Sequence, residues 1–265
     1  MTPSAAEHED IIASGQGNLL SKAIDAGVSQ QHEAIRLQRM NLTQRISRIL
    51  RPKSGRNRKL PANIDLARNF LFVHIPKTAG TSVYQSLGLE RSHHYFMSDY
   101  RKYLDAETFA QLYKFAFVRH PVQRFISLYK YARMDISHFH NNIAPEKAPF
   151  GEHADYLLLK DASLHECAVF LQEGRLTHNQ PWALWLPQSR WLEIDGQLAP
   201  MDFIGRMENF AVDFQQLLNN IGIATSPAYV NRSASPDSDI EIDAKTLAIL
   251  RHYYAEDLAN FGYAL

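Results

Sequence analysis

The sequence predicts an α/β domain, a parallel sheet flanked by helices, preceded by an N-terminal helical extension. Two short apolar runs, Phe70-Leu71-Phe72-Val73 and Phe115-Ala116-Phe117-Val118, each stop at a basic turn and restart with helical spacing. A basic stretch rich in chain breakers separates them from a helical beginning. Strands that are continuously apolar, rather than alternating, are covered on both faces, as in parallel sheets with helices above and below. With 265 residues, 45% of them apolar, the chain can bury a full core and shows no sign of wholesale disorder.

The first element is a helix over residues 19–50, where Ile35, Leu42, Ile46 and Ile49 recur at helical spacing on a background rich in Gln and Arg. Residues 51–61 follow as a basic linker broken at Pro52, Gly55 and Pro61. The boundary falls at 68/69, giving an extension with linker over 1–68 and the main domain over 69–265. The extension is expected to pack on the main domain or on a second subunit, making a homo-oligomer through the N-terminal helix. A basic amphipathic surface for an acidic partner or polyanionic substrate, and plain solvent exposure, are the alternatives.

After Val73 comes His74-Ile-Pro76-Lys77-Thr78-Ala79-Gly80-Thr81-Ser82, and Val83 and Leu87 continue at helical spacing. A buried strand feeding a tight turn and a helix start makes a nest of backbone N–H groups suited to phosphate or sulfate. Lys77 adds a point charge, and the Thr and Ser hydroxyls add donors. The spacing departs from a nucleoside-triphosphatase loop, since Lys77 precedes the segment's glycine, Gly80, instead of following one.

The second run ends in Arg119-His120-Pro121-Val-Gln-Arg124-Phe-Ile-Ser127-Leu-Tyr129. Pro121 sits where a helix starts without needing its N–H. Arg119 then stands at the carboxyl end of a strand, where open α/β sheets bind ligands, and a lone Arg directly after a buried run needs an anion or carboxylate partner. Arg124 and Ser127, three apart, share a helix face. Arg124 serves either the same anion or a salt bridge to a neighbouring acid.

Together these segments resemble the carbohydrate sulfotransferases that use 3′-phosphoadenosine 5′-phosphosulfate (PAPS), in the branch containing heparan and uronyl 2-O-sulfotransferases and bacterial relatives. Residues 74–82 look like that family's 5′-phosphosulfate loop and residues 117–129 like its 3′-phosphate motif. Phe203-Ile-Gly-Arg206-Met-Glu208-Asn-Phe210 with Asp213-Phe214, Val230-Asn231-Arg-Ser233, and the tail from Tyr253 through Asp257 and Phe261 to Tyr263 resemble its later segments. The resemblance implies a P-loop-type sheet and PAPS as donor with PAP as product. It implies donor contacts from Pro76, Lys77, Thr78, Ala79, Gly80, Thr81, Ser82, Arg119, Arg124, Ser127 and Arg206, and no metal. A kinase or nucleotide hydrolase, and a non-catalytic nucleotide- or glycan-binding module of the same fold, are the competing functions.

Sulfuryl transfer to a hydroxyl needs a base, and His suits that task near neutral pH. His93 and His94 lie between the two donor motifs, where the family places its catalytic His. His94 is preferred because it aligns better with the helix start at Ser98-Asp99-Tyr100-Arg101. Asp99 either orients a His or caps that helix. His178, Gln180, Trp182 and Trp185 are expected on the acceptor side, with core packing as the alternative for the tryptophans. The acceptor is expected to be a carbohydrate or another hydroxylated molecule.

Formal charge is zero, but through Arg68 there are 11 Lys and Arg against 6 Asp and Glu, leaving 17 against 22 in the rest. An acidic domain cannot draw in a polyanionic nucleotide by global charge, so a local cluster must hold it. Nothing argues for nucleic acid as partner. The single cysteine, Cys167, excludes a disulfide framework and is expected as a buried helical thiol. No run approaches the roughly 18 apolar residues of a membrane span, and the first residues lack a secretion signal, so a cytoplasmic location is expected.

Overall fold

The computed structural model describes residues 59–90, 92–134, 153–178, 183–224 and 240–264. The expected helix over 19–50, residues 51–58 of the linker, Gln180, Trp182 and the Val230–Ser233 loop lie outside the described residues.

Both apolar runs form strands. Among the described residues the main sheet has the order β1 (Ile64–Asp65), β2 (Phe70–Val73), β3 (Tyr113–Val118) and β6 (Phe203–Arg206). A separate ribbon pairs β4 (Glu193–Ile194) with β5 (Gln197–Leu198). Strands β2, β3 and β6 run parallel, with Phe72 opposite Phe115 and Val118 opposite Arg206. The sheet is nevertheless mixed, because β1 joins its edge antiparallel to β2. Two paired residues are too few for a period-two pattern to show, so β1 carries no signal in the sequence.

Helices α1 (Gly80–Ser86), α2 (Met97–Arg101) and α3 (Ala106–Gln111) lie between β2 and β3, and α4 (Pro121–Ala132) follows β3 with Pro121 in its first turn. Next come α5 (Tyr156–Leu159), α6 (Leu164–Gln172), a 3-10 turn over Ala183–Trp185 and α7 (Gln188–Trp191). Helix α8 (Phe210–Asn220) follows β6, and α9 (Ala244–Tyr253) and α10 (Ala255–Phe261) close the chain.

The parallel strands are apolar throughout because both faces are covered. Phe70, Phe72, Phe115 and Phe117 pack on one side with Val83 of α1, Leu87 just after it, and Phe210, Phe214 and Leu217 of α8. Leu71, Val73, Ala116 and Val118 face the other way, onto Met97, Tyr100, Trp191 and Phe261. Fully burying one such phenylalanine contributes roughly 1.5–3 kcal/mol. Gly205 in β6 makes room for this aromatic layer, since a Cβ there would come within 2.4 Å of the Phe117 ring. A further core joins α4, α6 and α9 around Phe125, Cys167, Trp185 and Leu250. Cys167 is the buried helical thiol expected, its pKa pushed up by burial. Among the described residues no helix is long and apolar enough to cross a membrane.

One consequence governs the rest. Because three neighbouring strands run the same way, the turn after Val73, Arg119 after Val118, and Arg206 at the end of β6 all emerge along one edge of the sheet.

Candidate active site

The turn after β2 is tightly wound. Lys77 and Ala79 both take positive φ, 68° and 65°, a left-handed conformation that costs a residue with a side chain about 1 kcal/mol or more. The turn gives way to α1, whose first described intrahelical bond is donated by the Val83 N–H to the Ala79 carbonyl. The N–H groups of Gly80 and Thr81 precede that bond, so they cap the positive end of the helix dipole at the turn. Lys77 is half-buried, its ammonium 4.5 Å from the centre of the Tyr131 ring near the end of α4. The Thr78 hydroxyl donates inward to the Ile75 carbonyl at 2.8 Å and closes the turn from beneath.

Gly80 is required by contact, not by φ. A Cβ at this position would meet the His74 ring at 1.9 Å. That ring cannot easily retreat: it lies 5.4 Å from Phe72 and 4.1 Å from His94, and His74 Nδ1 shares a hydrogen bond with the Ser92 hydroxyl. Gly80→Ala should therefore destabilise the fold by about 1–3 kcal/mol through overpacking. Urea denaturation is the measurement, and an unchanged midpoint would mean that the ring yields freely.

The two candidate bases are held differently. His93 gives its main chain to the fold: its N–H donates to Asn63 Oδ1 at 2.7 Å, and its carbonyl accepts from the Tyr100 hydroxyl at 2.8 Å. Its ring stacks on Tyr95, with centroids 4.8 Å apart. His94 instead turns its ring toward the loop, and its Nδ1–H donates to the His74 carbonyl at 2.9 Å. A carbonyl only accepts, so Nδ1 carries the proton and neutral His94 keeps its basic lone pair at Nε2. Burial lowers the His94 pKa to about 4; the bond to His74 works against this, while the charges of His93, Arg124 and Lys77 add to it. His74 is lowered well below the usual histidine value by burial, and then by His94. Asp99 neither orients a histidine nor caps α2; it accepts from Lys102 Nζ at 2.7 Å, and Phe96 holds the cap position.

Arg119 is half-buried at the end of β3, and both polar groups of its main chain are held by one side chain. Its N–H donates to Gln188 Oε1 at 2.9 Å, and Gln188 Nε2 donates to its carbonyl at 2.8 Å. Ser127 is buried on α4, one turn beyond Arg124.

A scan of protein families matches the sulfotransferase family over residues 61–264. The chain belongs to the sulfotransferase family. Comparison with curated proteins gives no match.

Membership makes the placement of the remaining expected residues informative. Arg124, expected to meet the donor or an acid, bonds here to main-chain carbonyls. It is 1% exposed and donates from Nε to the Pro76 carbonyl at 3.0 Å, from Nη1 to Leu186 at 2.9 Å and from Nη2 to Leu184 at 2.6 Å. Its role is to brace the loop from behind. Arg206, at the end of β6, is engaged with the C-terminal segment. Its Nη2 donates to the Phe261 carbonyl at 2.6 Å, and its guanidinium lies 4.7 Å from the Tyr263 ring centre. Main-chain carbonyls at turns and helix ends attract a nearby guanidinium, and that local demand sets the partners of both arginines.

On the expected acceptor side, His178 is tied down through Nδ1 to the Leu176 carbonyl and Nε2 to the Tyr253 hydroxyl. Trp185 is fully buried, and its indole N–H donates to Asp155 at 2.8 Å, so it takes the core alternative. Sequence reasoning missed Asn63 and Gln188, buried polar residues distinguished by their bonds to main chain, and Ser92, whose hydroxyl meets the His74 ring. Asp257 stood within a segment that resembles the family, and that was the signal available.

Proposed function

We propose that this sulfotransferase transfers a sulfuryl group from PAPS to a hydroxyl of a carbohydrate or glycan-like acceptor, with His94 as general base. The donor set fits such a nucleotide. Backbone N–H groups and a cation sit at one strand end, and a second cation sits at the neighbouring strand end, enough to hold anionic groups at two points. PAPS, when bound, supplies an activated sulfuryl group and leaves as PAP. Lys77 and the N–H groups that open α1 balance charge at the 5′ end, and Arg119 with Ser127 holds the 3′-phosphate. His94 Nε2 takes the acceptor's proton while Nδ1–H stays on the His74 carbonyl, so the ring keeps its orientation as it becomes charged. The observation that carries this reading is the hydrogen bond from His94 Nδ1 to the carbonyl of His74, the residue that leads into the loop.

The finer assignment follows the sequence resemblance: a heparan- or uronyl-2-O-sulfotransferase-like branch of bacterial type, a P-loop-type donor loop, and a cytoplasmic protein. The N-terminal extension ahead of β1 is assigned a part in self-association. Incubating the full chain with PAPS bearing labelled sulfate and a panel of hydroxylated glycans tests the reaction. Acceptor-dependent label transfer with release of PAP is expected. Labelled product from the γ-phosphate of ATP, and none from PAPS, would make the protein a kinase instead.

A further inference from the structure

The stretch from Leu184 to Ser189 touches both turns of the donor site. On one side the Leu184 and Leu186 carbonyls accept from Arg124, whose Nε donates to Pro76 at the base of the loop. On the other side Gln188 grips Arg119 by its N–H and its carbonyl together. Arg119 has just left the sheet, so no neighbouring strand fixes it, and the amide of Gln188 supplies the donor and acceptor that a strand would have supplied.

Gln188 is itself immobilised. It is fully buried, and its main-chain N–H donates to Asp257 Oδ2 at 2.7 Å. Its Nε2 makes a second, longer approach to the same oxygen at 3.3 Å. Asp257, also fully buried, accepts at Oδ1 from the Ser189 N–H at 2.8 Å and the Ser189 hydroxyl at 2.7 Å. One carboxylate thus caps the start of α7 and, through Gln188, fixes the main chain of Arg119. This internal strut links the base of the loop to Arg119.

We propose that Gln188 is a positioning residue that sets selectivity for a 3′-phosphorylated nucleotide by fixing the main chain of Arg119. This rests on the reading that Arg119 meets the 3′-phosphate. A cation displaced from its phosphate loses the contact, whereas the 5′ end, held by the loop, is untouched. Loss of the fork therefore penalises a nucleotide that carries a 3′-phosphate and spares one that lacks it.

The test is equilibrium binding of PAP and AMP, which differ only in the 3′-phosphate, to the full chain. Wild type is expected to prefer PAP. Gln188→Met, which keeps the length of the side chain and removes its hydrogen bonds, should weaken PAP about tenfold and change AMP by no more than about twofold. In an Arg119→Ala background the same substitution should add nothing, because the two act as one unit. Should Gln188→Met fail to fold, Asp257→Asn loosens the same fork and should show the same ligand-dependent pattern at smaller size. Equal loss of both nucleotides, or an undiminished effect of Gln188→Met without Arg119, would overturn the proposal. A wild type that bound PAP and AMP alike would remove the reading of Arg119 itself, whatever the variants did.

Discussion

Lys77→Ala is expected to lower sulfuryl transfer by about 10²–10³-fold, the usual effect of removing one donor aimed at developing charge. Stability should hardly move. Lys77 already adopts φ 68°, and alanine bears the same left-handed penalty, so no backbone strain is added or relieved. What is lost is the ammonium over the Tyr131 ring at 4.5 Å, a contact worth about 0.5–1 kcal/mol at a partly exposed site. Lys77→Arg should rescue poorly, because a planar fork does not replace a compact point charge in a turn this tight. Steady-state kinetics alongside a urea midpoint separate the two effects. A variant that loses its fold as well as its activity would make Lys77 a structural residue, and one that keeps activity within about threefold would take it out of the donor site.

The sheet was legible because its strands had to be apolar on both faces. Phe70–Val73 and Phe115–Val118 announce themselves as short runs bounded by basic turns, and their parallel pairing follows from the helices between them. Strand β1 was not legible, since Ile64–Asp65 offers nothing periodic and pairs only because Asn63 is stitched to Phe72 and His93. The same contrast runs through the site. The position of Arg119 could be read, because a strand end fixes it in one dimension. The partners of Arg124 and Arg206 could not, because a guanidinium goes to whichever carbonyls or carboxylates lie nearest, and those come from residues some 50 to 60 places away along the chain. Gln188 and Asp257 are the extreme case, with their importance residing wholly in contacts between distant segments.

His94→Gln is expected to cost about 10²–10⁴ in turnover, with PAP affinity held within about twofold, since glutamine can still donate to the His74 carbonyl but cannot accept a proton. The pH behaviour separates a base from a bystander. In the free protein His94 is neutral down to a pKa of about 4, so the acid limb of kcat/KM for the donor should lie well below the ordinary histidine range. An anionic donor beside Lys77 adds opposite charge near the ring and raises that pKa, so the acid limb of kcat should sit at higher pH than that of kcat/KM. Stability follows the same linkage in the opposite sense from a paired histidine. The folded protein keeps His94 and His74 neutral, while the unfolded chain takes up protons below about 6.5, so stability present above that pH is lost as pH falls toward 4. His94→Gln should therefore flatten the decline of the urea midpoint between those values even as it lowers turnover. Were the variant to keep wild-type turnover, or the acid limbs of kcat and kcat/KM to coincide, proton transfer at Nε2 would have to be assigned to another residue.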